Sequence, residues 1–220
     1  MKYIVGVDEV GRGPIAGPVT VCVFLMQADY DILKHFKNRK LKDSKKLSSN
    51  ERKRIRTELN KAKLAGSVDF TIVSRSAEYI DRLGISKAVN GSIEEGIRKL
   101  LRLNYNLDEN NTKIELDGAL KISQEFIDKV QTRYKQSLEY TVNIKGDERI
   151  PSIACASILA KIVRDNYMCY MSKKLYDQDG TWYNWAQNVG YGTMEHYALI
   201  EKHGLTPYHR KSFLTRLKAN

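Results

Sequence analysis

Residues 6–19 read GVDEVGRGPIAGPV. The run leading into them, Tyr3-Ile4-Val5-Gly6-Val7, has the apolar, β-branched character of a buried strand. It ends in two adjacent carboxylates, Asp8 and Glu9, and then in a loop with glycine at 11, 13 and 17. A second apolar run, 18–26, follows closely enough for the two to pair as a hairpin. The first core strand of a chain with a formal charge of +11 thus terminates in two acids.

Working outward, Val68, Phe70 and Ile72 alternate with polar neighbours and predict a third strand. Two more are expected at 113–117 and at Leu138, Tyr140, Val142 and Ile144, where the alternation is clean. Between them, Ser48-x-x-Glu51 forms a capping box ahead of Ile55 and Leu59, and Val89, Ile93, Ile97, Leu100 and Leu101 mark an amphipathic helix. A shorter helix is expected over 122–134. Pro151 suits a first helical position and opens PSIACASILAKIVRDNYM, apolar on most faces and therefore a core helix. Three strands in succession, then alternating helices and strands, then helices, predict an α/β fold with a mixed sheet flanked by helices. No repeat, low-complexity segment or linker divides the chain, so one domain over 1–180 is expected, with 181–220 as a C-terminal helical region packed on it. That tail, rich in Trp182, Tyr183, Trp185, Tyr191 and Tyr208, is expected against one edge of the sheet.

The chain has 220 residues, 42% of them hydrophobic, which is ample for a core. Its 37 Lys and Arg against 26 Asp and Glu favour a polyanionic partner, nucleic acid being the commonest, although charge alone leaves the choice open. Cys22, Cys155 and Cys169 are odd in number and far apart, supporting neither a disulfide framework nor a structural zinc. No run is long enough to span a membrane, and Asp8 and Glu9 interrupt the only apolar run near the N-terminus. A soluble, reduced, cytoplasmic protein is expected, and a monomer, since no heptad pattern or spare apolar face appears.

Four acids share one kind of address. Asp8 and Glu9 end the first strand, Asp117 the fourth and Asp147 the fifth, so pairing in one sheet can bring them to one spot. Clustered carboxylates repel unless cations neutralise them, and oxygen ligands without His or Cys select Mg²⁺ or Mn²⁺. Gly11-Arg12-Gly13 lets the backbone approach a ligand while Arg12 reaches a phosphate or sugar, or is simply a glycine-rich turn. Lys42, Lys45 and Lys46 cluster in LKDSKKL, as a phosphate-binding group or a solvated face. Ser157 and Lys161 lie one helical turn apart and can share a phosphate contact, or belong to a small-residue helix packed on the sheet. Tyr191, between two glycines in GYGT, suits stacking on a sugar or base, unless it wedges between helices. His196, His203 and His209 have no metal-ligand spacing and are expected as surface or capping residues.

With these elements in this order, the sequence resembles the ribonuclease HII family. The resemblance runs from VDEVGRGPIAGPV through DSKKL, LDG, GDERIPSIACASILAKIVRD and GYGT to PYHRKSF, nearly the whole chain. It implies a ribonuclease H-like fold of five mixed strands with helices on both sides, a catalytic domain over 1–180, and a C-terminal helical region. It implies cleavage of RNA in RNA–DNA hybrids and on the 5′ side of ribonucleotides in duplex DNA, with those nucleic acids as partners. Asp8, Glu9, Asp117 and Asp147 match the family's catalytic acids, Gly11, Arg12 and Gly13 its ribose-sensing loop, and Tyr191 the tyrosine that stacks at the RNA-to-DNA junction. Arg12, and a fold starting at residue 2, resemble HII more than the related HIII family; Ala119 departs from the Asn that many bacterial members carry after LDG. The expected mechanism is two-metal hydrolysis leaving a 5′-phosphate and a 3′-hydroxyl. A non-catalytic nucleic-acid binder of the same fold, or a phosphatase of small esters, is the alternative.

Overall fold

The computed structural model describes residues 1–36, 47–103 and 105–214. Five strands, β1 (Tyr3–Val10), β2 (Val19–Gln27), β3 (Val68–Arg75), β4 (Thr112–Asp117) and β5 (Tyr140–Asn143), form one sheet in the order β3-β2-β1-β4-β5. β2 is antiparallel to both β1 and β3, whereas β4 runs parallel to β1 and β5 parallel to β4. The carboxyl ends of β1, β4 and β5 therefore emerge side by side, as the mixed-sheet reading requires.

The described helices are α1 (Ser49–Leu64), α2 (Ala77–Leu83), α3 (Ile85–Arg102), α4 (Gln124–Tyr134), α5 (Pro151–Asp179), α6 (Trp185–Asn188) and α7 (Met194–His203). Strand alternation sends Val5, Val7, Val21 and Val23 to one face, against Ile93 and Ile97 of α3 and Phe126 of α4. Cys22, Phe24 and Met26 face the other way, against Ile55 and Leu59 of α1 and the small-residue start of α5. The sheet is thus covered on both sides. Ser48 caps α1 as read: its hydroxyl accepts from the Glu51 N–H at 3.2 Å while its own N–H donates to the Glu51 carboxylate at 3.0 Å. Pro151 opens α5 at its first turn.

The approach of α5 to β1 is set by Gly6, where a Cβ would overlap the backbone of Ser152 and Ile153. Only glycine allows helix and strand to lie this close. Four details depart from the sequence reading. Gly84, at φ +83°, ends α2 and begins α3, so a short helix that periodicity did not mark precedes the amphipathic one. Helix α5 continues to Asp179, well past the apolar stretch that announced it. β5 is only four residues long at the sheet edge, and Val142 and Ile144 are 47% and 78% exposed, because an edge strand with one neighbour leaves half its pattern outside the core. The described part of the tail, residues 181–214, does not cover a sheet edge. Tyr183, Trp185, Ile200 and Leu214 pack instead on Ile15 and Ala16 of the loop after β1 and on Met168, Met171 and Leu175 of α5. Lys42, Lys45 and Lys46 lie outside the described residues.

Gly6→Ala is expected to push α5 off β1 at a cost of at least the about 1–3 kcal/mol typical of an overpacked core. Urea unfolding checks this, and an unchanged midpoint would show that α5 can shift without loss.

Candidate active site

Asp8 lies near the end of β1 on the side that faces α5, where the Ser157 hydroxyl hydrogen-bonds its carboxylate and the Glu9 N–H donates to its Oδ1 at 2.7 Å. Glu9, next along the strand, pairs with Arg12 at 3.6 Å. Asp117 is the last residue of β4, and its Oδ1 accepts the Gly146 N–H at 2.6 Å. A Cβ on Gly146 would collide with Ile153 and stand 3.1 Å from that same oxygen, so glycine is what lets the turn come this close. Asp147 follows immediately. It sits on a short 3₁₀ turn, Gly146–Glu148, beyond the end of β5 rather than at the strand's end as read, and the Asp117 contact places it.

All four acids line one cleft of about 640 Å³, together with Ser157, Lys161 and Tyr191. Burial holds the Asp8 carboxyl well above the usual carboxylate range, and the neighbouring charges of Glu9 and Asp117 push it further in the same direction. Glu9 is raised as well, by burial first and by Asp117, against the opposing pull of Arg12. Several oxygen donors of like charge in a partly dehydrated cleft match a hard divalent cation. Among the described residues, no three acids, histidines or cysteines already close into a metal cage. The carboxylates share a wall, with oxygens of Asp8 and Asp117 held by backbone N–H groups and Glu9 by Arg12. Lys161 reaches the cleft from α5 while its ammonium pairs with Asp165 at 3.0 Å.

The glycine loop borders this cleft and is held by two buried arginines to which the sequence reading gave no role. Arg164 of α5 donates to the carbonyls of Pro18 and Val189, both at 2.9 Å, and of Ala16 at 3.2 Å. Arg210 donates to the carbonyls of Gly17 at 2.9 Å, Arg12 at 3.0 Å and Gly11 at 2.7 Å. Gly11, at φ +90°, has no room for a Cβ because Arg164 lies against it. Arg12 itself keeps its side chain 42% exposed. Tyr191, 48% exposed, stands at the cleft with its ring 3.8 Å from where a Cβ on Gly13 would lie.

The family model for ribonuclease HII matches residues 5–217 of this chain. The chain belongs to the ribonuclease HII family. A curated ribonuclease HII from Prochlorococcus marinus (strain MIT 9312) is 38% identical over 213 residues, covering 96% of this chain and 89% of that protein. Among solved structures, ribonuclease HII in the PCNA:RNase HII complex from Archaeoglobus fulgidus superposes with a TM-score of 0.65 at 23% identity, covering 94% of this chain and 93% of that one. Bst-RNase HIII, solved in complex with Mn²⁺, gives 0.62 at 18% identity and covers all of this chain and 71% of that one. The solved structures show the ribonuclease H-like fold, and membership of the ribonuclease HII family gives the class, a nuclease acting on RNA in RNA–DNA hybrids. Among the described residues no helix is long and apolar enough to cross a membrane.

In this ribonuclease HII chain, the loop carrying Tyr191 rests on a buried histidine pair, not on the surface histidines that the sequence suggests. The Thr206 N–H donates to His209 Nδ1 at 3.0 Å, which leaves the His209 proton on Nε2, 3.2 Å from His196 Nε2. His196 Nε2 also accepts from the Trp185 indole at 3.0 Å, so its own proton sits on Nδ1 and is donated to the Tyr191 carbonyl at 2.8 Å. Both rings are neutral: burial lowers His196, and burial with the His196 ring beside it takes His209 down to about 3.

A histidine whose folded pKa lies below its unfolded value of 6.5 contributes stability that is present above that value and is lost as pH falls toward about 3. The difference in melting temperature between wild type and His209→Gln is therefore expected to shrink between pH 7 and pH 4. Calorimetry across that range checks it, and a constant difference would rule out the neutral pair.

Proposed function

We propose that this chain is a metal-dependent endoribonuclease that cleaves RNA–DNA hybrids and also cuts on the 5′ side of single ribonucleotides in duplex DNA, leaving 5′-phosphate and 3′-hydroxyl ends. The observation that carries this reading is the meeting of Asp8, Glu9, Asp117 and Asp147 in one cleft beside Ser157, Lys161 and Tyr191. Asp8, Glu9, Asp117 and Asp147 would hold two divalent cations, Mg²⁺ or Mn²⁺, whose chemistry is to acidify water and to neutralise charge on a phosphate and its leaving oxygen.

The chain's own groups do the rest. The Ser157 hydroxyl and the Glu9 N–H fix the orientation of the Asp8 carboxylate, and the Gly146 N–H fixes Asp117. Lys161 offers positive charge to a backbone phosphate at the cleft wall. Gly11 makes room for Arg164 behind the loop, Gly13 keeps its outer side slim enough for a sugar edge to approach, and Arg12 supplies a donor for the 2′-hydroxyl, the group that distinguishes RNA from DNA. The half-exposed Tyr191 ring offers a face for the sugar or base at the junction. In this reading residues 1–180 carry the acids, and the C-terminal region, 181–220, carries the junction-sensing tyrosine.

The direct test is a DNA duplex with one embedded ribonucleotide, incubated with Mg²⁺, with Mn²⁺ or with chelator and mapped on a sequencing gel. A metal-dependent cut immediately 5′ of the ribonucleotide is expected, and a protein that binds the duplex without cutting would return the reading to a non-catalytic binder. Asp8→Asn is expected to lose more activity than the about 10–100-fold typical of removing an outer-shell partner. It should also melt higher than wild type in chelator at pH 8, because it removes a buried negative charge beside Glu9 and Asp117. Turnover near wild type would refute the four-acid assignment.

A further inference from the structure

The loop after β1 and the segment carrying Tyr191 come from opposite ends of the sequence, yet one side chain grips both. Arg164 Nε and Nη2 donate to the carbonyls of Pro18 and Ala16, while Nη1 donates to the carbonyl of Val189, two residues before Tyr191. The two segments also bond to each other, the N–H groups of Ile15 and Ala16 both donating to the Gly190 carbonyl at 2.9 and 3.1 Å. Arg164 lies on the same helix as Ser157, seven residues on, which is about 10 Å at 1.5 Å per residue. Ser157 holds Asp8, so α5 is a rod with the acid cleft fixed at one point and both substrate-facing segments fixed at another.

Arg164 is only 1% exposed. A guanidinium is the side chain that suits such a place, because its planar fork reaches three carbonyls at once and their dipoles offset its lost hydration. An ammonium on a lysine stem has the charge without the fork. Arg210 provides the contrast, since its three bonds go to Gly11, Arg12 and Gly17 and none to the tyrosine segment.

We infer that Arg164 is a positioning residue for junction selection: it sets the distance from Tyr191 to the acid cleft, so that the ribonucleotide that is sensed is the one beside the bond that is cut. The inference rests on the proposed function. Arg164→Lys is expected to lower kcat on a single-ribonucleotide duplex at least tenfold, to lower kcat on a uniform RNA–DNA hybrid by much less with KM within twofold, and so to lower the ratio of kcat/KM between the two substrates. Because the effect runs through Tyr191, the same substitution made in Tyr191→Ala should change that ratio by less than twofold. Gly190→Ala, whose Cβ would collide with the Ala16 carbonyl, perturbs the same junction while leaving Arg164 in place and is expected to lower the ratio as well. It serves as the deciding variant if Arg164→Lys does not fold. A ratio within twofold of wild type in the folded variants, or an equal change with and without Tyr191, would overturn the inference while the wild-type cut preserved the reading beneath it. Failure of wild type to cut the single-ribonucleotide duplex would overturn both.

Discussion

Helix α5 lies against β1 at Gly6 with no side chain between their backbones, and the geometry of the cleft is measured from that contact. The close approach brings Ser157 within hydrogen-bonding reach of Asp8 and lets Ile153 bear on Gly146, the residue that ties the Asp147 turn to Asp117. A helix standing further off would leave the acids on the sheet and their positioning groups on another layer. The small residues that open α5 are therefore as much a part of the site as the carboxylates, although none of them touches substrate in the proposed reaction.

The cleft concentrates like charge in a protein whose total charge is strongly positive. Burial and mutual repulsion both raise Asp8, so the folded chain carries an electrostatic cost there that a bound divalent cation would relieve. The basic excess works in the other direction, drawing a polyanion toward a surface that would otherwise repel it at its most acidic point. A bare carboxylate cluster facing phosphate makes sense only if both effects operate together.

Much of this was legible in the sequence. Strand alternation and the glycine loop located β1 to β4, the Ser48 and Glu51 pair located the start of α1, and Pro151 located α5, because each is a local signal with a local cause. Asp8, Glu9 and Asp117 stand at strand ends as read, and the parallel pairing of β4 with its neighbours brings those ends together. What escaped was non-local. Asp147 owes its position to a contact with Asp117, not to the strand before it. His196 and His209 look like ordinary polar residues until the fold buries them together, and Arg164 sits in a helix that reads as core, where periodicity marks a buried position but cannot show that carbonyl oxygens await the charge. Val142 and Ile144 show the converse, a clean pattern at an edge where there is little to bury it.

Arg210 bonds to Gly17, Arg12 and Gly11 across 193, 198 and 199 residues of chain. During synthesis the loop at residues 11–18 leaves the ribosome long before Arg210, the partner for three of its carbonyls. Contacts of such separation are slow to close and form late. The central strands can pair beforehand, but the loop beside the cleft stays unfinished until Arg210 has been made. A nascent chain that has not reached Arg210 thus already carries all four acids, beside a loop that still lacks the grip on three of its carbonyls.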